Sequence, residues 1–322
     1  MGLFDSYKKI SLLNQGVKLK KQGKYEDALN FYNKALEIDP DYDKAWFNKG
    51  MVCLKLKKNY DAILYFERCL TLNSKAERAW DGKAYALLMV GKFQEALECI
   101  NTALKLDPNY IRAWYDKGII LANLDKRSEA IEANDKVLKL DPNNFEAWLQ
   151  KGINLVFLKN YHEALECCDK VINLKPEDFR AYYTKGIIFN KLKMLQEAIE
   201  SYEKALKIDP ENDDIWNDKG AALKELGKYD DAIKSYNKAL KFNPNSSGTL
   251  TNKGNALEAL GKNQEAIKTY DNVLGIDPKF IYAWTGRGIA LSNLGKYKEA
   301  IESYNKALEI DPKNYYPYTN KG

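Results

Sequence analysis

Histidine, cysteine and clustered carboxylates are the residues with which a chain of this kind would do chemistry, and here they are scarce or scattered. One histidine, His162, serves all 322 residues, so a mechanism or metal site that needs two imidazoles is excluded. It lies just before a helical segment and reads as a surface residue. The five cysteines, Cys53, Cys69, Cys99, Cys167 and Cys168, include no CxxC pair. An odd number cannot close a full set of disulfides, and the adjacent Cys167 and Cys168 are poorly placed to bridge each other. All five fall on or beside inward positions, where free cysteine acts as a small apolar residue. There is no GxSxG and no Gly-rich phosphate loop. The recurring aspartates of "LEIDP" and "LKLDP" read as turn residues at helix ends rather than as an acid/base pair. No catalytic residue, metal ligand or cofactor is expected.

Composition narrows the class further. The chain is 45% apolar and 30% charged with a formal net charge of +5, which describes a folded chain slightly rich in charge. No run approaches the eighteen apolar residues of a membrane span, and the N-terminus lacks the apolar stretch and cleavage site of a secretory signal. The expected location is cytoplasmic. The modest net charge makes nucleic acid a poor candidate ligand.

The elements that must position any functional residue follow from a strict period. Eight of the nine prolines (Pro40, Pro108, Pro142, Pro176, Pro210, Pro244, Pro278, Pro312) are spaced by 34 residues or twice 34. The six tryptophans share that frame, and alanine recurs without a break from Ala28 to Ala300. Glycine follows each tryptophan slot by four residues, with Ala84 the one substitute. Within residues 213–246, Trp216, Gly220 and Leu223 lie on one helical face. Gly227 then suits a helix C-terminus. Ala232, Tyr236, Ala239 and Leu240 form the face of a second helix, which Asn243-Pro244 ends. The spacing predicts two helices per repeat, in repeats 9–42, 43–76, 77–110, 111–144, 145–178, 179–212, 213–246, 247–280 and 281–314. Residues 1–8 form an extension, and 315–322 begin a tenth repeat with Tyr318 and Gly322 in the tryptophan and glycine slots.

These columns resemble the tetratricopeptide repeat, whose period and pattern they match over residues 9–314. One departure is systematic: the leucine usual before the glycine is here basic at Lys49, Lys83, Lys117, Lys151, Lys185, Lys219, Lys253 and Arg287. The resemblance implies an all-α fold, a right-handed α-solenoid superhelix whose first helices line a concave face. It also implies that a partner helix beyond the last repeat is missing. The chain is therefore expected to be a fragment of a longer product, or to stack its open end on a second protomer.

By the same resemblance, the concave slots hold Phe47, Met51, Tyr85, Met89, Tyr115, Ile119, Leu149, Ile153, Phe157, Tyr183 and Ile187 in repeats two to six. In repeats seven to nine they turn polar, at Asn217, Lys224, Thr251, Asn255, Glu258 and Thr285. An apolar strip of this kind suits peptide capture. A basic rim of Lys44, Arg78, Arg112 and Arg180, interrupted by Glu146, would favour a ligand with acidic residues beside apolar ones. The lysine–asparagine clamp with which some relatives grip a terminal carboxylate is missing. The expected function is a non-catalytic scaffold that holds a peptide or helix of a partner protein, without a membrane. The alternatives are a recruiting arm of a larger enzyme and a structural solenoid that associates with itself.

Overall fold

The computed structural model describes residues 3–312, so the start of the tenth repeat, with Tyr318 and Gly322, lies outside the described residues. Among these residues there are eighteen α-helices and no strand. First helices are α1 (Leu3–Lys21), α3 (Asp43–Lys55), α5 (Glu77–Met89), α7 (Ile111–Asn123), α9 (Phe145–Phe157), α11 (Phe179–Lys191), α13 (Asp213–Glu225), α15 (Ser247–Ala259) and α17 (Ile281–Asn293). Second helices are α2 (Tyr25–Ile38), α4 (Asn59–Leu72), α6 (Phe93–Leu106), α8 (Arg127–Leu140), α10 (Tyr161–Leu174), α12 (Leu195–Ile208), α14 (Tyr229–Phe242), α16 (Asn263–Ile276) and α18 (Tyr297–Ile310). The chain divides into two compact halves, Met1–Cys167 and Cys168–Gly322. Within each half, first and second helices pair as hairpins and successive hairpins pack on one another.

The columns of the sequence each have a physical cause. All six tryptophan indoles donate to a carbonyl six residues earlier. Trp46, Trp114, Trp148, Trp216 and Trp284 donate to the residue of the proline column and Trp80 to Ser74, at 2.8–3.0 Å. Each bond ties the entry turn to the helix it feeds. The aspartate before the proline accepts from the backbone N–H two residues on, as Asp39, Asp107 and Asp277 do at 2.9–3.1 Å. This is the side-chain turn that Asp favours, and it accounts for the "LEIDP" carboxylates without chemistry.

The glycine column accommodates a ring. A Cβ on Gly16, Gly50, Gly186, Gly220, Gly254 or Gly288 would stand 2.3–2.7 Å from a ring carbon of Tyr32, Phe66, Tyr202, Tyr236, Tyr270 or Tyr304, respectively. These rings are buried to within 1% of full burial. Where the column carries Ala84, the facing second-helix residue is Ile100, not an aromatic.

The basic column is explained as well. Lys83 pairs with Glu67, Lys151 with Asp135, Lys185 with Asp169, Lys219 with Glu203 and Arg287 with Asp271, at 2.6–3.0 Å. The acid is always sixteen residues earlier, on the preceding second helix. At Lys49, Lys117 and Lys253 that position is Asn33, Asn101 and Asn237. The same cations stand over the tryptophan rings, Lys49 at 4.7 Å from Trp46 and Lys219 at 5.4 Å from Trp216. At Lys83, Lys151, Lys219 and Arg287 ring and acid together hold the charge while the stem covers apolar surface.

The turn between the helices of each hairpin needs a residue with positive φ at every repeat. Gly23, Gly91, Gly227, Gly261 and Gly295 supply it at 74–79°, and Lys57, Asp125, Lys159 and Lys193 adopt it at 58–63°. A side chain in this region costs about 1–2 kcal/mol, against which glycine's extra chain entropy is about 0.5–1 kcal/mol. Lys57→Gly and Lys159→Gly are expected to stabilise the chain by about 0.5–1 kcal/mol each, read as higher urea midpoints. Unchanged or lower midpoints would show that these turns carry no strain.

Candidate functional site

The predicted groove residues of the first half do not form one uniform strip. Met89, at the end of α5, and Phe157, at the end of α9, are 53% and 62% exposed. The Phe157 ring lies under the Arg127 guanidinium at 4.2 Å. Phe47 and Met51 of α3 are half-buried against the cluster around Phe66, with the Phe47 and Phe66 rings 5.9 Å apart. Tyr85, Tyr115, Ile119 and Ile153 are half-buried, whereas Leu149 is 1% exposed and belongs to the interior. In the second half, Tyr183 donates its hydroxyl to Asp218 Oδ2 at 2.9 Å, and Ile187 packs on the core around Tyr202.

Tyr115 and Arg112 are brought together. They line an open cavity of about 570 Å³ with Tyr110, Ile111, Asp107, Asn109, Asn144 and Glu146. The Arg112 guanidinium, however, is turned toward two buried carboxylates. Its Nε lies 3.4 Å from Asp81 Oδ2 and 3.5 Å from Asp116 Oδ2, and the group stands 5.8 Å from the centre of the Tyr85 ring. The Tyr110 hydroxyl donates to Asp81 Oδ2 at 3.0 Å. Burial raises both carboxyl pKa values above the ordinary range, and the Asp81 charge adds to the effect on Asp116, which is pushed up to about 7. One arginine thus faces two buried acids whose carboxyl groups both titrate above the ordinary range.

The rest of the rim divides in two. Lys44 is exposed and Arg78 stands 4.0 Å from Glu77 with 75% of its side chain exposed. Arg180 instead holds Asp178 at 2.6 Å, and that hydrogen bond keeps the Asp178 carboxyl below its usual range.

Asp81, Asp116 and Tyr110 were not singled out by sequence reasoning. Asp81, in "AWDGK", is the one acid in a slot that holds apolar, aromatic or uncharged polar residues in the other repeats, whereas Asp116, in "WYDKG", shares its slot with Asp218 and otherwise with uncharged polar residues or glycine, and so gave no such signal. The thiols are shielded from solvent. All five cysteines are buried, and burial pushes the Cys53 and Cys99 thiols up to about 11 and the Cys69 and Cys167 thiols up to about 12. Thiolate, the reactive form, is scarce at such values. His162 has 90% of its side chain exposed beside Glu166. Among the described residues no group of three or more His, Cys, Asp or Glu side chains could hold a metal ion, and no helix is long and apolar enough to cross a membrane.

Comparison with known proteins places this geometry. Models described as tetratricopeptide repeat or TPR repeat match residues 16–65, 82–145, 145–178, 179–212, 214–246, 235–268, 254–295 and 281–314. An uncharacterized protein of Methanocaldococcus jannaschii is 49% identical over 35 residues, which are 11% of this chain and 41% of that relative's length. Among solved structures, YrrB, a TPR protein with an unusual peptide-binding site, aligns with a TM-score of 0.52 at 25% identity over 59% of this chain and 98% of its own. The APC/C hetero-tetramer Cut9-Hcn1 aligns at 0.62 and 22% identity over 87% of this chain and 55% of its own. PilF of Pseudomonas aeruginosa aligns at 0.57 and 19% identity over 64% and 94%. The last two speak for the fold alone. Helical hairpins every 34 residues, the columns that build them and the repeat models agree: the chain belongs to the tetratricopeptide repeat family.

Proposed function

We propose that this protein is a non-catalytic scaffold for protein–protein interaction that holds a peptide or helical segment of a partner on the first-helix face of its first half. The observation that carries the reading is the open cavity at Tyr115 and Arg112. Its size falls within the ordinary range of ligand sites, and it lies in the same stretch of chain as the exposed Met89 and Phe157. Apolar and aromatic contacts supply most of the attraction, and methionine lets the surface adapt to its ligand. Arg112 already faces Asp81 and Asp116, so an acidic residue of the ligand competes with them rather than meeting a free cation. Lys44 and Arg78 remain exposed as the rim that orients such a residue. The similarity to YrrB, which has a peptide-binding site, supports a peptide as the class of ligand.

The test is a pull-down from the source organism's lysate with the full chain and with a Met89→Asp, Tyr115→Asp double variant, followed by titration of the partner it identifies. Neither residue is fully buried, so helical content is expected to stay equal. The expected result is a partner retained by the unaltered chain and weakened at least about tenfold by the variant, as for loss of central anchors. Equal affinity for both proteins would remove the groove from consideration.

A further inference from the structure

A second cavity, of about 490 Å³, lies wholly within the second half, between α15 and α17. Its walls are Gly248, Thr251, Asn252, Asn255, Glu258, Phe280, Tyr282, Thr285, Gly286 and Ile289. They include one carboxylate and no cation. Glu258 is half-buried, and among the described residues no lysine or arginine forms an ion pair with it. Burial alone raises its pKa, with no neighbouring positive charge to oppose the shift. The basic residue closest in sequence on α17, Arg287, is committed elsewhere, to Asp271 at 2.7 Å and Ser303 at 2.7 Å.

The remaining walls suit a cation with an apolar stem. Tyr282 is 70% exposed, and its ring packs edge-on to Phe280 with centroids 6.0 Å apart. Exposed aromatic faces attract ammonium and guanidinium groups. The floor is rigid. Tyr270 lies under Gly254 and Gly286, where a Cβ would come within 2.5 Å of its ring, and its hydroxyl donates to Asn255 Oδ1 at 2.7 Å. Asn252 Nδ2 donates to Asn217 Oδ1 at 3.1 Å. These bonds leave the Asn255 amino group and the Asn252 side-chain carbonyl, one donor and one acceptor, without a partner among the described residues. Together they could pair with an extended peptide backbone.

We propose that this cavity takes a lysine or arginine side chain presented by a peptide segment of a partner protein, with Glu258 as its counter-charge and Tyr282 covering its stem. The charge complementarity is opposite to that of the exposed Lys44 and Arg78 in the first half, so the two sites favour ligands of opposite sign.

The experiment uses the full chain and fluorescein-labelled hexapeptide pools whose central residue is fixed as lysine, arginine, norleucine or glutamate, read by fluorescence polarisation. Lysine and arginine pools are expected to bind at least about tenfold more tightly than norleucine or glutamate pools. Glu258→Gln is expected to abolish that difference with unchanged helical content, and Glu258→Asp to keep part of it. Tyr115→Asp leaves the preference intact, which separates this site from the groove of the first half. Equal binding of all pools, no binding of any, a preference for glutamate or norleucine, or a basic preference that survives Glu258→Gln would each overturn the proposal. So would sedimentation showing that Glu258→Gln disperses a dimer, since the occupant would then be a second copy of this chain.

Discussion

Gly50→Ala is expected to destabilise the first half by about 2 kcal/mol, although alanine is the better helix former by about 1 kcal/mol. The added Cβ would stand 2.7 Å from Phe66 Cε1 and 2.8 Å from Cζ. The ring cannot swing away, because Gly82 of the next first helix presses on it from the other side, where a Cβ would come within 2.5 Å. Phe66 is itself fully buried. Overpacking of this kind forces backbone shifts or strained rotamers, at a cost of about 1–3 kcal/mol. The chain already contains the remedy: Ala84 faces Ile100, both completely buried in one cluster. Transplanting that pair as Gly50→Ala with Phe66→Ile is expected to recover more than about 1 kcal/mol of the sum of the single losses. Urea denaturation of the four proteins measures the coupling. A neutral or stabilising Gly50→Ala would mean that the glycine column answers to something other than ring packing.

The second large effect depends on pH. Asp116 is 4% exposed, and burial followed by the Asp81 charge pushes its pKa up to about 7, against about 3.9 for an unfolded aspartate. Between those two values the folded chain binds a proton that the unfolded chain has lost. This contribution to stability is fully present below about pH 4 and disappears as the pH rises through 7. Above pH 7 the site holds two carboxylates facing one arginine, with Asp81 Oδ1 and Asp116 Oδ2 both lacking a hydrogen-bond partner among the described residues. Asp116→Asn keeps the shape and a donor for Asp81 while removing the ionisation. It is expected to stabilise the protein at pH 8 by on the order of 2–4 kcal/mol and to be nearly neutral at pH 4. Thermal unfolding at the two pH values decides. A variant that destabilises equally at both would show that Asp116 is ionised and held by Arg112 at all pH values tested. The same chemistry bears on the groove, because Arg112 is less tightly engaged once the acid pair takes up its proton.

The helices and their order were legible in the residues alone because the devices that set them are local. A proline, a tryptophan six residues later and a positive-φ turn act within one hairpin, and repetition in register makes each column visible. Burial of Ala28, Tyr236 and their equivalents follows from the same 3.6-residue face. What the one-dimensional pattern left open lies between neighbouring repeats. Arg112 reads as a rim cation until α5 places Asp81 beside it, 31 positions earlier in the chain. Leu149 shares its slot with the half-buried Tyr115 and is nevertheless enclosed. The basic column looks like a departure from the family pattern, yet five of its eight members meet an acid sixteen residues back. Glu258 passes for one polar residue among several until α15 and α17 place it in a cavity whose walls include two aromatic residues and no cation. Residue type and period specify the backbone, because each element's hydrogen bonds and caps come from its own neighbourhood. Exposure, pairing and charge state depend on what the adjacent hairpin presents, and that is settled only when the hairpins pack.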